Sequence, residues 1–418
     1  MREKPRRRVL MLAYFFPPLG GGGVQRTLKH VKYLPDAGFD AIVLTTRSGW
    51  SPERDPTLAE DVRPGTVVIR APELPLRLVK WGLGGALRRA RLPAHLTSYV
   101  GWPDEMVGWV PGATWHALRA VRRYRPEVLY STHSPASAHL VALIVSRATG
   151  IPWVADFRDA WTRNPQGERV ARPFAGLSAR LERAVVKRAS YLVVVDESVE
   201  LLEVDFDHSR LVVIRNGVDP EDVPPMQART RGARFRISYV GALYGERNAA
   251  PVFAALRALV DRNVIDESNL ELRIVGSAAL GDDVNIERLP VAWIGYVDHG
   301  AAISEMAAAD VLLFYAPALN RAPSGKVYEY LVSGRPILCV AGSDNFAFQL
   351  VQELGAGYCA QPGDLTAIED AIERMYVSWK DGKLEISPEV RAETLRRFSR
   401  EALARELAAV LDAAARHT

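Results

Sequence analysis

VLMLAY-FFPPLGGGG-VQRTLKHVKYLPDA-GFD-AIVLTT, residues 9–46, is the stretch that decides the fold of this 418-residue chain. Residues 9–14 are a short, unbroken apolar run, the pattern of a strand buried on both faces. Residues 24–37 space their apolar side chains as a helix does, and 41–46 are a second short apolar run. Strand, helix and strand in that order start a parallel sheet, because parallel neighbours need a crossover.

The alternation continues through the first half. Strand-like runs fall at 66–70, 128–132, 153–157, 191–195 and 212–215, with helical stretches at 113–124, 136–149 and 174–188. This is a doubly wound α/β pattern. Residues 220–233 carry three prolines, a glutamine and several arginines with little apolar periodicity, which reads as a linker. The pattern then restarts with strands at 237–240, 270–275, 291–294, 311–315 and 336–340 and helices at 250–262, 302–308 and 327–331. A helical region over 391–416 closes the chain. The expected domains are 1–225, 226–395 and a terminal helix, 396–418, that could pack back on the first.

Composition limits the function classes. The chain is 48% hydrophobic, enough for two cores, and carries a formal charge of only +4. Its basic residues gather at 2–8, 77–91 and 119–125, so a local basic face is more telling than the net charge, and nucleic acid is not an expected partner. Two cysteines, Cys339 and Cys359, supply neither a disulfide framework nor a metal site. The start lacks a small-residue cleavage site after its apolar run, and no window reaches the ~20 apolar residues of a membrane span. A cytoplasmic chain is expected. Residues 76–91 mix Leu, Val and Trp81 with five basic residues, which fits either an anionic membrane surface or a solvated basic helix. Trp102, Trp109 and Trp115 fit packing or an acceptor platform.

Three constellations carry chemistry. Gly20, Gly21, Gly22 and Gly23 lie between the first strand and its helix, where backbone N–H groups and the helix dipole favour an anion. Neither the dinucleotide fingerprint nor the phosphate-loop pattern fits the chain. Ser131-Thr132-His133 and Asp156-Phe157-Arg158-Asp159 follow two strands of the first half, at the edge where open parallel sheets bind ligands. There His133 could bond a sugar hydroxyl or share a proton, while Asp156 and Arg158 could order an acceptor or steady a leaving phosphate. A surface ion pair and a capping histidine are the alternative. The third is Gly325-Lys326-Val327-Tyr328-Glu329-Tyr330-Leu331, where Glu329 can grip ribose hydroxyls and Lys326 can neutralise phosphate. Gly241, Arg247 and Gly276 accompany it as phosphate-compatible turns. Taken alone, Lys326 and Glu329 would also fit a helical salt bridge.

These residues resemble the retaining glycosyltransferases of family 4. The resemblance runs from the glycine loop before Val24-Gln25-Arg26, through Asp156-Phe157-Arg158-Asp159-Ala160-Trp161, Ile214-Arg215-Asn216-Gly217-Val218-Asp219 and Tyr239-Val240-Gly241, to the Glu329 motif. It implies the GT-B fold: two Rossmann-like domains with a cleft between them, acceptor-side first and nucleotide-sugar-binding second. It implies that Glu329 is the second glutamate of an E-x7-E motif and binds the donor ribose, and that Arg247 and Lys326 contact the diphosphate. His133 would face the donor sugar, with the glycine loop beside the diphosphate. The first glutamate of the motif falls at Arg321, and a Gly241 to Arg247 spacing replaces the usual G-x-x-x-x-K-G stretch.

The resemblance implies sugar transfer with retention, without a metal or other cofactor, to a glycan or lipid-linked acceptor in surface polysaccharide or glycoconjugate synthesis. A nucleotide-sugar 2-epimerase and a non-catalytic nucleotide-sugar-binding homologue remain as alternatives. Asp205-Phe206-Asp207, a D-x-D, would fit a metal-dependent single-domain transferase but leaves the second parallel domain unexplained.

Overall fold

In the computed structural model, seven strands form one parallel sheet in the order β3-β2-β1-β4-β5-β6-β7. They are β1 (Arg7–Leu12), β2 (Phe39–Thr46), β3 (Val67–Ala71), β4 (Val128–His133), β5 (Trp153–Phe157), β6 (Tyr191–Val194) and β7 (Leu211–Val213). Helices α1 (Gly22–Tyr33), α2 (Val110–Tyr124), α3 (Ala136–Thr149) and α4 (Arg172–Arg188) connect them. The structure describes residues 6–47, 54–76, 82, 101–162, 172–196, 206–223, 232–245, 248–279, 284–317 and 325–416.

Strand alternation sorts the sheet's side chains into two cores. Leu10, Leu12, Leu129, Trp153 and Ala155 pack with Ala113, Ala117, Val141 and Val185 on one face. Val9, Met11, Val128, Val154 and Val193 pack with Leu28 and Val31 on the other. Because both faces are covered, the strands read as unbroken apolar runs rather than alternating ones.

The second sheet has six parallel strands in the order β12-β10-β8-β13-β14-β15. These are β8 (Phe235–Val240), β10 (Leu270–Val275), β12 (Val291–Gly295), β13 (Val311–Tyr315), β14 (Ile337–Val340) and β15 (Gly357–Ala360). A separate two-residue parallel ladder joins β9 (Leu243–Tyr244) to β11 (Ala278–Ala279). The helices are α5 (Ala250–Asp261), α6 (His299–Ala308), α7 (Lys326–Ser333), α8 (Phe346–Glu353), α9 (Leu365–Lys380), α10 (Pro388–Phe398) and α11 (Arg400–Arg416). One face packs Ile237, Ile274 and Leu313 against Phe253, Leu256 and Ile372. The other packs Leu312, Phe314 and Cys339 against Val327, Leu331 and Val351. Cys339 and Cys359 sit opposite one another in the β14–β15 register, both as free thiols.

The chain divides into two compact units, Met1–Arg215 with Leu403–Thr418, and Asn216–Ala402. The division falls ahead of the proline-bearing stretch, where the sequence had placed it. Local bonding explains the difference: Val218 N–H donates to the Phe398 carbonyl, and Arg400 N–H donates to the Val218 carbonyl at 2.8 Å, which ties residue 218 into the second unit. The helical region expected over 391–416 is two helices, and the terminal helix expected over 396–418 spans Arg400–Arg416. Ser399 ends α10 in an extended conformation, and its hydroxyl accepts from the Ala402 N–H. Leu403, Leu407 and Leu411 then join the first unit's α1-side core.

Candidate functional site

Each sheet reverses its strand order once, between β1 and β4 in the first unit and between β8 and β13 in the second. Ligands of open parallel sheets bind at the carboxyl edge of that reversal, where two loops part. The glycine loop follows β1, His133 ends β4, Gly241 follows β8, and α7 follows β13. The glycine loop and His133 thus follow the two switch-point strands of the first unit, and Gly241 and α7 those of the second, whereas Asp156 and Arg158 belong to β5 and its loop, and Gly276 follows β10.

In the first unit α1 begins at Gly22 after Gly21, whose φ of 87° is a left-handed value that glycine adopts without strain. No side chain caps this helix and its first turn carries no acid, so its N–H groups and dipole favour an anion. Arg158 lies against the first turn. Its Nη1 donates to the Gly23 carbonyl at 2.7 Å, and a Cβ on Gly23 would stand 3.2 Å from that nitrogen. Arg158 also pairs with the Asp159 carboxylate at 3.2 Å, with 12% of its side chain exposed.

His133 is buried at the end of β4, in a cluster with His139 and Trp161 at ring separations of 5.8 and 5.6 Å. Its Nδ1 lies 2.9 Å from the Asp159 carbonyl, so Nδ1 carries the proton and Nε2 the lone pair. Burial pushes the imidazole down to about 4, against the opposing pull of Asp159. A neutral ring with a fixed tautomer can accept from a hydroxyl through Nε2 but holds no charge near neutrality.

Asp156 is not placed as the sequence suggested. It points to the opposite face of β5 from Phe157, is fully buried, and accepts from Arg26 Nε at 2.7 Å and Nη2 at 3.1 Å. The Tyr130 hydroxyl donates to it as well, and Arg26 Nη2 continues to the Ile214 carbonyl at 2.9 Å. Contact with an acceptor or leaving phosphate is closed to a carboxylate so enclosed; its work is to join α1, β4 and β5.

In the second unit Gly241 and Gly276 end adjacent strands. A Cβ on Gly276 would fall 2.2 Å from the Gly241 carbonyl oxygen, and the φ of 128° there already excludes most side chains. Tyr330 ties α7 to the same strand end: its hydroxyl accepts from Val240 N–H at 2.9 Å. Glu329, one residue earlier, pairs with Lys326 at 2.8 Å, with 19% of its side chain exposed. Burial works against its charge, yet Lys326, His299 and Arg400 outweigh that and hold the carboxyl below its usual range. His299 opens α6 and bonds Asp222 through Nε2 at 3.0 Å. Burial lowers its basicity, but Asp222 and Glu329 raise it further, leaving it above the usual imidazole value.

His299, Asp222 and Arg400 are therefore part of the Glu329 surroundings and were missed in the sequence. Arg247 and Arg321 lie outside the described residues, as do Asp205 and all but Leu76 and Gly82 of the basic stretch 76–91. Asp207 caps a short helical turn by accepting from Ser209 N–H. Trp109 is core packing against Tyr14, Trp102 stacks on Phe174 and bonds Ser178, and Trp115 is largely exposed. Among the described residues no helix is long and apolar enough to cross a membrane.

Two family models match the chain: Glycosyltransferase Family 4 over residues 20–222 and Glycosyl transferases group 1 over residues 234–378. Glycogen synthase of Mycobacterium tuberculosis (strain CDC 1551 / Oshkosh) is 25% identical over 349 residues, 76% of each chain. Among solved structures, sucrose-phosphate synthase from Thermosynechococcus elongatus superposes with a TM-score of 0.67 at 14% identity, over 99% of this chain and 100% of the other. Anabaena Alr3699/HepE in complex with UDP and glucose gives 0.63 at 16% identity, over 98% and 100%.

Proposed function

Because the chain belongs to the family 4, group 1 glycosyltransferases, we propose that it moves a sugar from a nucleotide-sugar donor to a glycan or lipid-linked acceptor with retention of configuration. The observation that carries this reading is the Lys326–Glu329 pair on α7, the helix that follows β13 at the second unit's switch point and that Tyr330 bonds to the end of β8 just before Gly241. Glu329, kept ionised, offers two oxygens to the vicinal hydroxyls of a ribose, and Lys326 offers its charge to the adjoining diphosphate. The glycine-lined strand ends let a diphosphate approach the backbone closely. Anabaena Alr3699/HepE, a structural neighbour, has been solved with UDP-glucose, which favours a nucleotide-sugar donor.

In the first unit, the uncapped start of α1 with Arg158 suits the negative charge that develops on a departing diphosphate. His133 Nε2 suits a sugar hydroxyl. The bond from the anomeric carbon to the diphosphate oxygen breaks as the acceptor oxygen bonds to the same face, and the acceptor proton passes to the diphosphate. No side chain need act as a base. The protein's share is positioning and charge neutralisation, and the reaction is proposed to proceed without a metal.

Incubation of the purified protein with nucleotide sugars and glycan or lipid-linked acceptors, followed by NMR of the new linkage, tests this. A linkage with the donor's anomeric configuration is expected. An inverted linkage would overturn retention, and epimerised sugar without acceptor would favour a 2-epimerase.

A further inference from the structure

The amino edge of the first sheet, opposite its switch point, carries a groove of about 740 Å³ lined by Arg6, Arg8, Arg63 and Arg123 together with Asp40 and Tyr124. Its volume is that of a small-molecule pocket. Arg6 and Arg8 of the first basic run seen in the sequence and Arg123 of the run 119–125 converge here, because the start of β1 and the end of α2 meet at this edge. Acids balance only part of the charge. Arg63 pairs with Asp36, and Arg6 reaches Asp40 at 3.4 Å with both side chains about half exposed.

Arg8 and Arg123 form no ion pair among the described residues. Arg8 spends Nη1 on the Tyr124 carbonyl at 2.8 Å, which fixes the guanidinium and leaves its other donors over. Arg123 lies over the Tyr124 ring at 5.3 Å, an arrangement that holds the plane of the fork without using its N–H groups. Two oriented guanidinium forks in a concave site match the several oxygens of a phosphate better than a single carboxylate. We propose that this groove binds a phosphate-bearing ligand, either a soluble phosphate compound or a phospholipid headgroup, at a site separate from the carboxyl edge. The inference does not depend on the proposed transferase reaction.

The test is calorimetric titration of the full chain with inorganic pyrophosphate, and sedimentation with vesicles of phosphatidylglycerol or of phosphatidylcholine alone. Both are repeated with Arg8→Gln/Arg123→Gln and with Lys383→Gln as a control. Pyrophosphate taken up elsewhere is common to all three proteins and cancels in the comparison. A loss of about tenfold or more in pyrophosphate affinity, confined to the double variant, supports a soluble ligand. Loss confined to phosphatidylglycerol vesicles supports a headgroup. Equal binding by all three proteins, or no binding by the native chain, overturns the proposal. Arg123→Gln alone, at an exposed side chain that lies over the Tyr124 ring, keeps the test decisive if replacing Arg8 impairs folding.

Discussion

Arg26 and Asp156 form a two-bond ion pair inside the first unit, both side chains within 1% of complete burial. The pair joins two stretches that both resembled family motifs, Val24-Gln25-Arg26 and the one that begins at Asp156. It holds the start of α1 against β5, and with it the glycine loop and Arg158.

Breaking that pair should be costly. Asp156→Ala leaves a guanidinium buried without its partner and should lower stability by about 3–5 kcal/mol in urea unfolding. Replacing both residues together, Arg26→Met with Asp156→Leu, should cost less than the sum of the single changes, since no charge is then stranded.

His133 should give stability a pH dependence. Burial pushes its folded-state value down to about 4 from the ordinary 6.5, so between those values the unfolded chain binds the extra proton. Stability is complete above 6.5 and falls as pH falls towards about 4, by roughly 3 kcal/mol for this group. His139, buried beside it and also lowered, adds in the same direction. His133→Gln should flatten the curve of unfolding free energy against pH across this window. An unchanged slope would remove the assignment.

The glycines should separate by position. Gly276→Ala sets a methyl 2.2 Å from the Gly241 carbonyl at a φ of 128° and should reduce both stability and donor affinity, read by thermal unfolding and calorimetry. Gly22→Ala, with nothing within 4 Å of the new Cβ, should be neutral or stabilising by about 0.4–1 kcal/mol.

Much of the fold was legible because parallel strands covered on both faces leave short apolar runs, and each run read from the sequence overlaps a strand. β15 went unread: Gly357–Ala360 is four residues long, mostly half-buried and at the sheet's edge. The β9–β11 ladder, two residues on each side, has no pattern to detect. At the site, Lys326 and Glu329 were legible because one helical turn brings them together. His299, Asp222 and Arg400 belong to three segments that only the folded second unit brings near Glu329. Asp156 was misplaced because the sequence Asp-Phe-Arg-Asp does not tell which face of β5 meets α1.

The central claim is that Glu329 and Lys326 hold a nucleotide-sugar donor. Its most direct test is a thermal-unfolding screen of the native protein and of Glu329→Ala against UDP-, GDP-, ADP- and dTDP-sugars in EDTA, since a ligand of the folded state must raise Tm. The expected result is a rise in Tm with one donor that is lost or much reduced in Glu329→Ala, consistent with a loss of about 1.5–3 kcal/mol in donor binding. A rise of equal size in Glu329→Ala, or no rise with any donor in the native protein, would contradict the account.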